Sequence, residues 1–231
     1  GLASLKPWRA LNLVSFVATL IWLLAWYGGP YRSTDFAMFF GFLTLFFVIF
    51  TLAGIAYHVI RREREEGFDL ALLLLSAAFY FLLGHAVLQA EFGDFLGLFA
   101  AALAGLYLFL TLLARSVHPE GSKVSFALLA LAVAFLTLAI PLQFDGRPIT
   151  LAWAAEAAVL VFAGFQVASV RLRVAGVVLL ALVALRLLFV EYEIDLQGFV
   201  PVANGRFLTY AFAIEAMFAV AWRYKVAWAT V

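Results

Sequence analysis

The sequence predicts an all-α polytopic membrane protein, a bundle of about eight transmembrane helices arranged as tandem two-helix hairpins. Composition, a succession of long apolar runs and a one-sided distribution of basic residues all predict it. Hydrophobic residues make up 67% of the chain and charged residues 13%, with a mean hydropathy of +1.07. Soluble domains carry about 25% charged residues, and a water-soluble core cannot absorb this much apolar side chain. The 25 Phe, 6 Trp and 8 Tyr fit helices that pack in lipid and anchor at its interfaces.

A membrane-crossing helix needs about 20 mostly apolar residues at a rise of 1.5 Å each. Runs of that order fall at Ala10 to Gly29, Phe36 to Ile60, Asp69 to Gln89, Asp94 to Ala114, Val124 to Phe144, Ile149 to Val170, Leu172 to Val190 and Phe207 to Trp228. They pair into hairpins at approximately 10–60, 69–114, 124–170 and 172–228 within a single transmembrane domain spanning 1–231. Pro30, Pro141, Pro148 and Pro201 all stand at span ends. Trp8, Trp26, Tyr27, Tyr31, Trp222, Tyr224 and Trp228 fall near the expected membrane surfaces and read as interfacial anchors.

Orientation follows from Lys and Arg, which concentrate in short cytoplasmic loops. With the N-terminus inside, the inner segments hold eleven basic residues: Lys6, Arg9, Arg61, Arg62, Arg64, Arg115, Lys123, Arg171, Arg173, Arg223 and Lys225. The outer loops hold three, Arg32, Arg147 and Arg206, so both termini are expected on the cytoplasmic side, as in a bacterial inner membrane. The inner connection Arg61 to Gly67 (RREREEG) reads as a solvated turn, and the outer segment Glu191 to Arg206 as either a loop shaping a site mouth or a plain connection. Gly1 stands where an initiator Met belongs, which reads as a processed product or a piece of something longer.

A search for self-similarity finds Thr150-Leu-Ala-Trp-Ala-Ala-Glu156-Ala and Thr209-Tyr-Ala-Phe-Ala-Ile-Glu215-Ala, which share Thr-x-Ala-aromatic-Ala-x-Glu-Ala. Both follow an outer-loop Arg, Arg147 or Arg206, by the same short gap. Phe81 to Gln89 and Phe135 to Gln143 give a fainter echo. Together they suggest a parallel repeat of hairpins.

The stretch Phe135 to Trp153 (FLTLAIPLQFDGRPITLAW), with Glu156, Leu180 to Leu187 (LALVALRL) and Arg206 to Tyr210 (RFLTY), resembles a bacterial family of large predicted membrane proteins known as a domain of unknown function. The resemblance extends through most of the chain and implies the multi-span fold, with this chain as a part or short relative of such a protein. It implies no catalytic residues. Pro148 stands where the resemblance leads one to expect Trp.

An ionisable side chain at the bilayer centre costs about 2.5 to 3.5 kcal/mol, so each one inside a span needs a partner, a cavity or a function. Counting residues places Glu156 and Glu215 roughly 10 to 12 Å below the outer surface and Arg186 roughly 6 Å below it. Three readings stand for this layer, one of them snorkelling of Arg186 to the interface, and the other two take the three residues together. It is an interhelical polar clasp, or it is an outward-opening pocket lined by Glu156, Arg186 and Glu215 with Trp153, Tyr210 and Phe212 as stacking walls. In the pocket reading Arg147 and Arg206 flank the mouth and hold phosphate or carboxylate, and Gln143 adds a neutral donor and acceptor. Asp145-Gly146-Arg147-Pro148 reads as a tight turn in which Gly takes unusual backbone angles and Pro opens the next helix.

The absence of Cys removes disulfides, thiolate catalysis and Cys-ligated metal. His58, His85 and His118 lack metal-ligand spacing, so no metal and no cofactor are expected. A net charge of +1 does not point to nucleic acid. The expected partners are the lipid bilayer and either a lipid or glycan ligand or further membrane subunits. Three classes of function remain: binding or transport of a polar or anionic ligand from the extracytoplasmic side, an enzyme acting on a lipid-linked substrate, and a structural subunit of a membrane complex.

Overall fold

The computed structural model describes residues 9–61, 67–117, 122–190 and 204–229, and every regular element among them is helical. Eight α-helices succeed one another: α1 (Arg9–Gly28), α2 (Phe36–Arg61), α3 (Gly67–Phe92), α4 (Leu96–Val117), α5 (Lys123–Gln143), α6 (Arg147–Gln166), α7 (Val170–Phe189) and α8 (Gly205–Ala229). Short 3-10 turns, Ser33–Asp35 and Gly93–Phe95, lead into α2 and α4.

The all-α membrane bundle expected from composition is the architecture observed. Six stretches are long and apolar enough to cross a membrane, among them Leu70–Ser116, whose 47 residues hold both α3 and α4. The final helix α8, which includes Arg206, Glu215, Arg223 and Lys225, is less apolar and is not one of the six. Most of the charge run Arg61 to Gly67, most of the segment Glu191 to Arg206, and His118 and Trp8 lie outside the described residues.

The chain forms two compact units, Gly1–Ala139 and Ile140–Val231. In the first, α2 and α3 pack broadly against one another. Their shared core is aromatic: Phe47 stacks on Tyr80 with centroids 4.1 Å apart, and Tyr107 of α4 stacks on Phe135 of α5 at 5.7 Å. Such offset pairs add about 0.5 to 1.5 kcal/mol beyond the area they bury. A Cβ at Gly84 would lie 2.8 Å from Phe99 Cζ, so this glycine lets the Phe99 ring rest on the α3 backbone. The buried hydroxyl of Tyr80 lies 3.0 Å from Thr44 Oγ1. Thr44 gives its own proton to the Phe40 carbonyl, so Tyr80 is the donor of that pair.

In the second unit α6 is the central helix. It packs along both α7 and α8, which touch each other little. The α6–α7 turn closes with Ala168 at φ 52° and a Ser169 N–H···O=C Gly164 bond of 2.8 Å, and the Ser169 hydroxyl then caps α7 by accepting from Leu172 N–H. Close approach of α6 and α7 depends on glycine: a Cβ at Gly176 would lie 2.6 Å from Val161 Cγ2 and 2.7 Å from the Ala157 carbonyl oxygen. Helices α6 and α8 run parallel, with Arg147 beside Gly205 at one end and the rings of Phe165 and Tyr224 in contact at 4.9 Å at the other.

The sequence repeat has a packing explanation here. Thr150, Ala154, Ala157 and Val161 on α6 are buried, and so are their counterparts Thr209, Ala213, Ala216 and Val220 on α8. Their spacing at three and four residues makes a narrow face of small side chains on each helix, which lets backbones approach without a large apolar interface. Ala154, Ala213 and Ala216 belong to one buried cluster with Val183 and Leu187 of α7.

Candidate functional site

The site begins at the turn before α6. Gly146 is the N-cap residue at φ 67°, a left-handed conformation that side chains with a Cβ rarely adopt, and Pro148 follows in the first turn, where its missing N–H has no cost. Both roles are those expected from the Asp-Gly-Arg-Pro order. The equivalent end of α8 is capped by Asn204, whose Oδ1 accepts from Phe207 N–H at 2.8 Å.

Three guanidinium groups gather at this end of the second unit. Arg186, near the end of α7, is half-buried; its Nε–H donates to Thr150 Oγ1 at 3.0 Å and its Nη2 to the Gly146 carbonyl at 2.9 Å. Arg147 is exposed and lies across the start of α8, where a Cβ on Gly205 would come within 2.8 Å of its Nη1. Arg206 is half-buried with its Cζ 5.4 Å from the centroid of Tyr210, and the Tyr210 hydroxyl donates to the Leu187 carbonyl at 2.7 Å. The N-termini of α6 and α8 meet at the same place. The dipoles of these two N-termini add partial positive charge to that of the arginines, and Arg186 sits in the last turn of α7, whose own end carries the opposite partial charge.

The carboxylates behave differently from one another. Glu156 is buried at 8% exposure, because α6 is flanked by helices on both sides. Glu215 occupies the matching position on α8 and is exposed, because α8 has its main neighbour on one side only. The repeat equates their positions along the helix, and tertiary placement turns one inward and the other outward, in keeping with an expectation that at least one of the two faces the interior. Phe212 is likewise exposed at 42% and is not a wall of the site, whereas Trp153 and Tyr210 pack on the buried Ala154–Ala213 cluster. Gln143, at the end of α5, is exposed.

Sequence reading missed two features of this unit. Thr150 was visible only as part of the repeat, and its role as acceptor for Arg186 became apparent through the fold. Phe165, Arg173 and Arg223 form a second arginine–aromatic group; the two arginines had counted only towards orientation. Among the described residues no three His, Cys, Asp or Glu side chains are grouped as a metal site would need.

A family model described as predicted membrane protein (DUF2339) matches residues 1–231, and the chain belongs to that family. No curated protein and no solved structure matches the chain.

Proposed function

We propose that this DUF2339 protein binds an anionic group, phosphate or carboxylate, at the end of its second unit marked by Arg147, Arg186 and Arg206, with that end on the extracytoplasmic side of a bacterial inner membrane and both termini in the cytoplasm. One observation carries the reading: Arg147 of α6 lies over Gly205 while Arg186 of α7 is fixed on Gly146 and Thr150, so guanidinium groups from two helices come to the place where α6 and α8 begin. Guanidinium N–H groups and helix-terminal amides are both suited to oxyanions. Trp153 and Tyr210 supply the apolar flank, and Gln143 and Glu156 complete the candidate set.

The test is ligand-dependent stabilisation of the purified protein in neutral detergent, with inorganic phosphate and acetate as probes. Saturable stabilisation that is reduced in Arg147→Ala and Arg206→Ala supports the site. Stabilisation that is undiminished in both variants, or no stabilisation by either probe, rejects it. Orientation is read separately by single cysteines placed at Arg147 and Lys225 in the Cys-free chain, with labelling by an impermeant thiol reagent in intact cells expected at the first position only.

A second reading, as a structural subunit of a membrane complex, is favoured by Glu215. A carboxyl group on the outward face of α8, beside Phe218 at 72% exposure and Trp222 at 61%, suits a protein neighbour better than lipid.

A further inference from the structure

At the far end of the second unit, two arginines share one aromatic ring. Arg173 of α7 has its Cζ 4.7 Å from the centroid of Phe165, and Arg223 of α8 has its Cζ 4.3 Å from the same centroid. The two guanidinium carbons therefore lie within about 9 Å of each other. The placement is built into the packing. A Cβ on Gly164 would meet Arg173 Cγ at 2.7 Å and its backbone nitrogen at 2.9 Å, so only glycine lets the Arg173 chain lie against α6 and reach the ring. Tyr224 closes on Phe165 edge-on at 4.9 Å.

No acidic side chain of this unit serves these cations among the described residues. Its described carboxylates are Asp145 at the other end, Glu156 nine residues before Phe165 and Glu215 eight before Arg223, which puts the last two roughly 12 to 14 Å away along their helices. Arg173 Nε is buried against the protein and has no hydrogen-bond partner, so the cation's outward-facing nitrogens are the ones left to meet a ligand. Arg171 and Lys225 lie near the same end. Along α6, Phe165 is 18 residues from Arg147, roughly 27 Å at 1.5 Å per residue, which is close to the thickness of a bilayer's hydrocarbon core. The two arginine groups therefore bracket that core, and the Phe165 group sits at the level of the phosphates of the opposite leaflet.

We propose that Arg173 and Arg223, held together on the Phe165 ring, form a clamp for a phosphate group at the membrane surface opposite Arg147. Two guanidinium groups at this separation engage one phosphate through charge-assisted N–H···O bonds. This site is independent of the one proposed at Arg147.

The experiment is native mass spectrometry of the full chain in neutral detergent, with phosphatidylglycerol or phosphatidylcholine added and inorganic phosphate as competitor. Phosphatidylglycerol is expected to be retained roughly tenfold more than phosphatidylcholine. Arg173→Gln and Arg223→Gln should each bring it down towards the phosphatidylcholine level while Arg115→Gln, on α4 and outside both arginine groups, leaves it unchanged. Release of the lipid by millimolar inorganic phosphate assigns the clamp to soluble phosphates as well; retention assigns it to lipid. Equal retention of the two lipids, or a preference untouched by the Gln variants, overturns the proposal. Arg223→Lys covers a Gln variant that does not fold: it keeps the charge, and undiminished phosphatidylglycerol retention in it would overturn the guanidinium clamp.

Discussion

Arg186 and Thr150 join the end of α7 to the first turn of α6 through an Nε–H···Oγ1 hydrogen bond of 3.0 Å. Hydrogen bonds to charged groups contribute about 1.5 to 3 kcal/mol when partly shielded from water. Thr150→Val, which keeps the shape and removes the acceptor, is expected to lower stability by about 1 to 2 kcal/mol. In a double-mutant cycle with Arg186→Leu the two losses should fall short of additivity by a similar amount. Additive losses in detergent unfolding would show that the pair does not couple the helices.

The α6–α7 contact tolerates no side chain at Gly176. Gly176→Val would drive methyl groups into Val161 and the Ala157 carbonyl, and a loss of at least about 2 kcal/mol is expected, with the helices forced apart. Gly105→Ala on α4 is the contrasting case, because nothing lies within 4 Å of the added Cβ. That variant should be neutral or stabilising by up to about 1 kcal/mol, since alanine favours the helix. Thermal melting of the two variants side by side checks the difference.

Glu156 and Glu215 occupy equivalent repeat positions and should respond oppositely to Leu. Burial at 8% exposure makes Glu156→Leu disruptive, as Leu cannot keep the polar interaction that Glu156 makes and its branched end must fit a packed interior. Glu215→Leu removes an ionisable group from an outward face and should improve membrane insertion by up to about 3 kcal/mol. A glycosylation-based insertion assay for α8 and a melting curve for the full chain measure the two effects; equal losses would contradict the inward and outward assignment.

Ala168 holds φ 52° at the end of α6, where a Cβ is strained by about 1 to 2 kcal/mol. Ala168→Gly releases that strain against a smaller loss from the freer unfolded chain, for a net gain of up to about 1 kcal/mol. An unchanged or lowered melting temperature would show that the turn does not need the left-handed conformation.

Fold class was legible in the sequence because lipid imposes a single crude requirement, about 20 apolar residues for each crossing, and a 67% hydrophobic chain with long unbroken runs meets it in few ways. The Asp145–Pro148 turn was legible for a similar reason: Gly and Pro restrict the backbone locally, whatever surrounds them. The repeat was legible as a pattern of Thr, Ala and Glu, and its sequence register put Glu156 and Glu215 at matching places along their helices. Which way those carboxylates face was decided by tertiary structure, because α6 has neighbours on two sides and α8 mainly on one, a difference that identical local sequence cannot encode. The same holds for the arginines. Their number and alternation between loops were written in the chain, but that Arg186 meets Thr150, that Arg147 crosses Gly205 and that Arg223 joins Arg173 on Phe165 depends on contacts between residues about 36 to 58 positions apart, which only the packing of helices brings together.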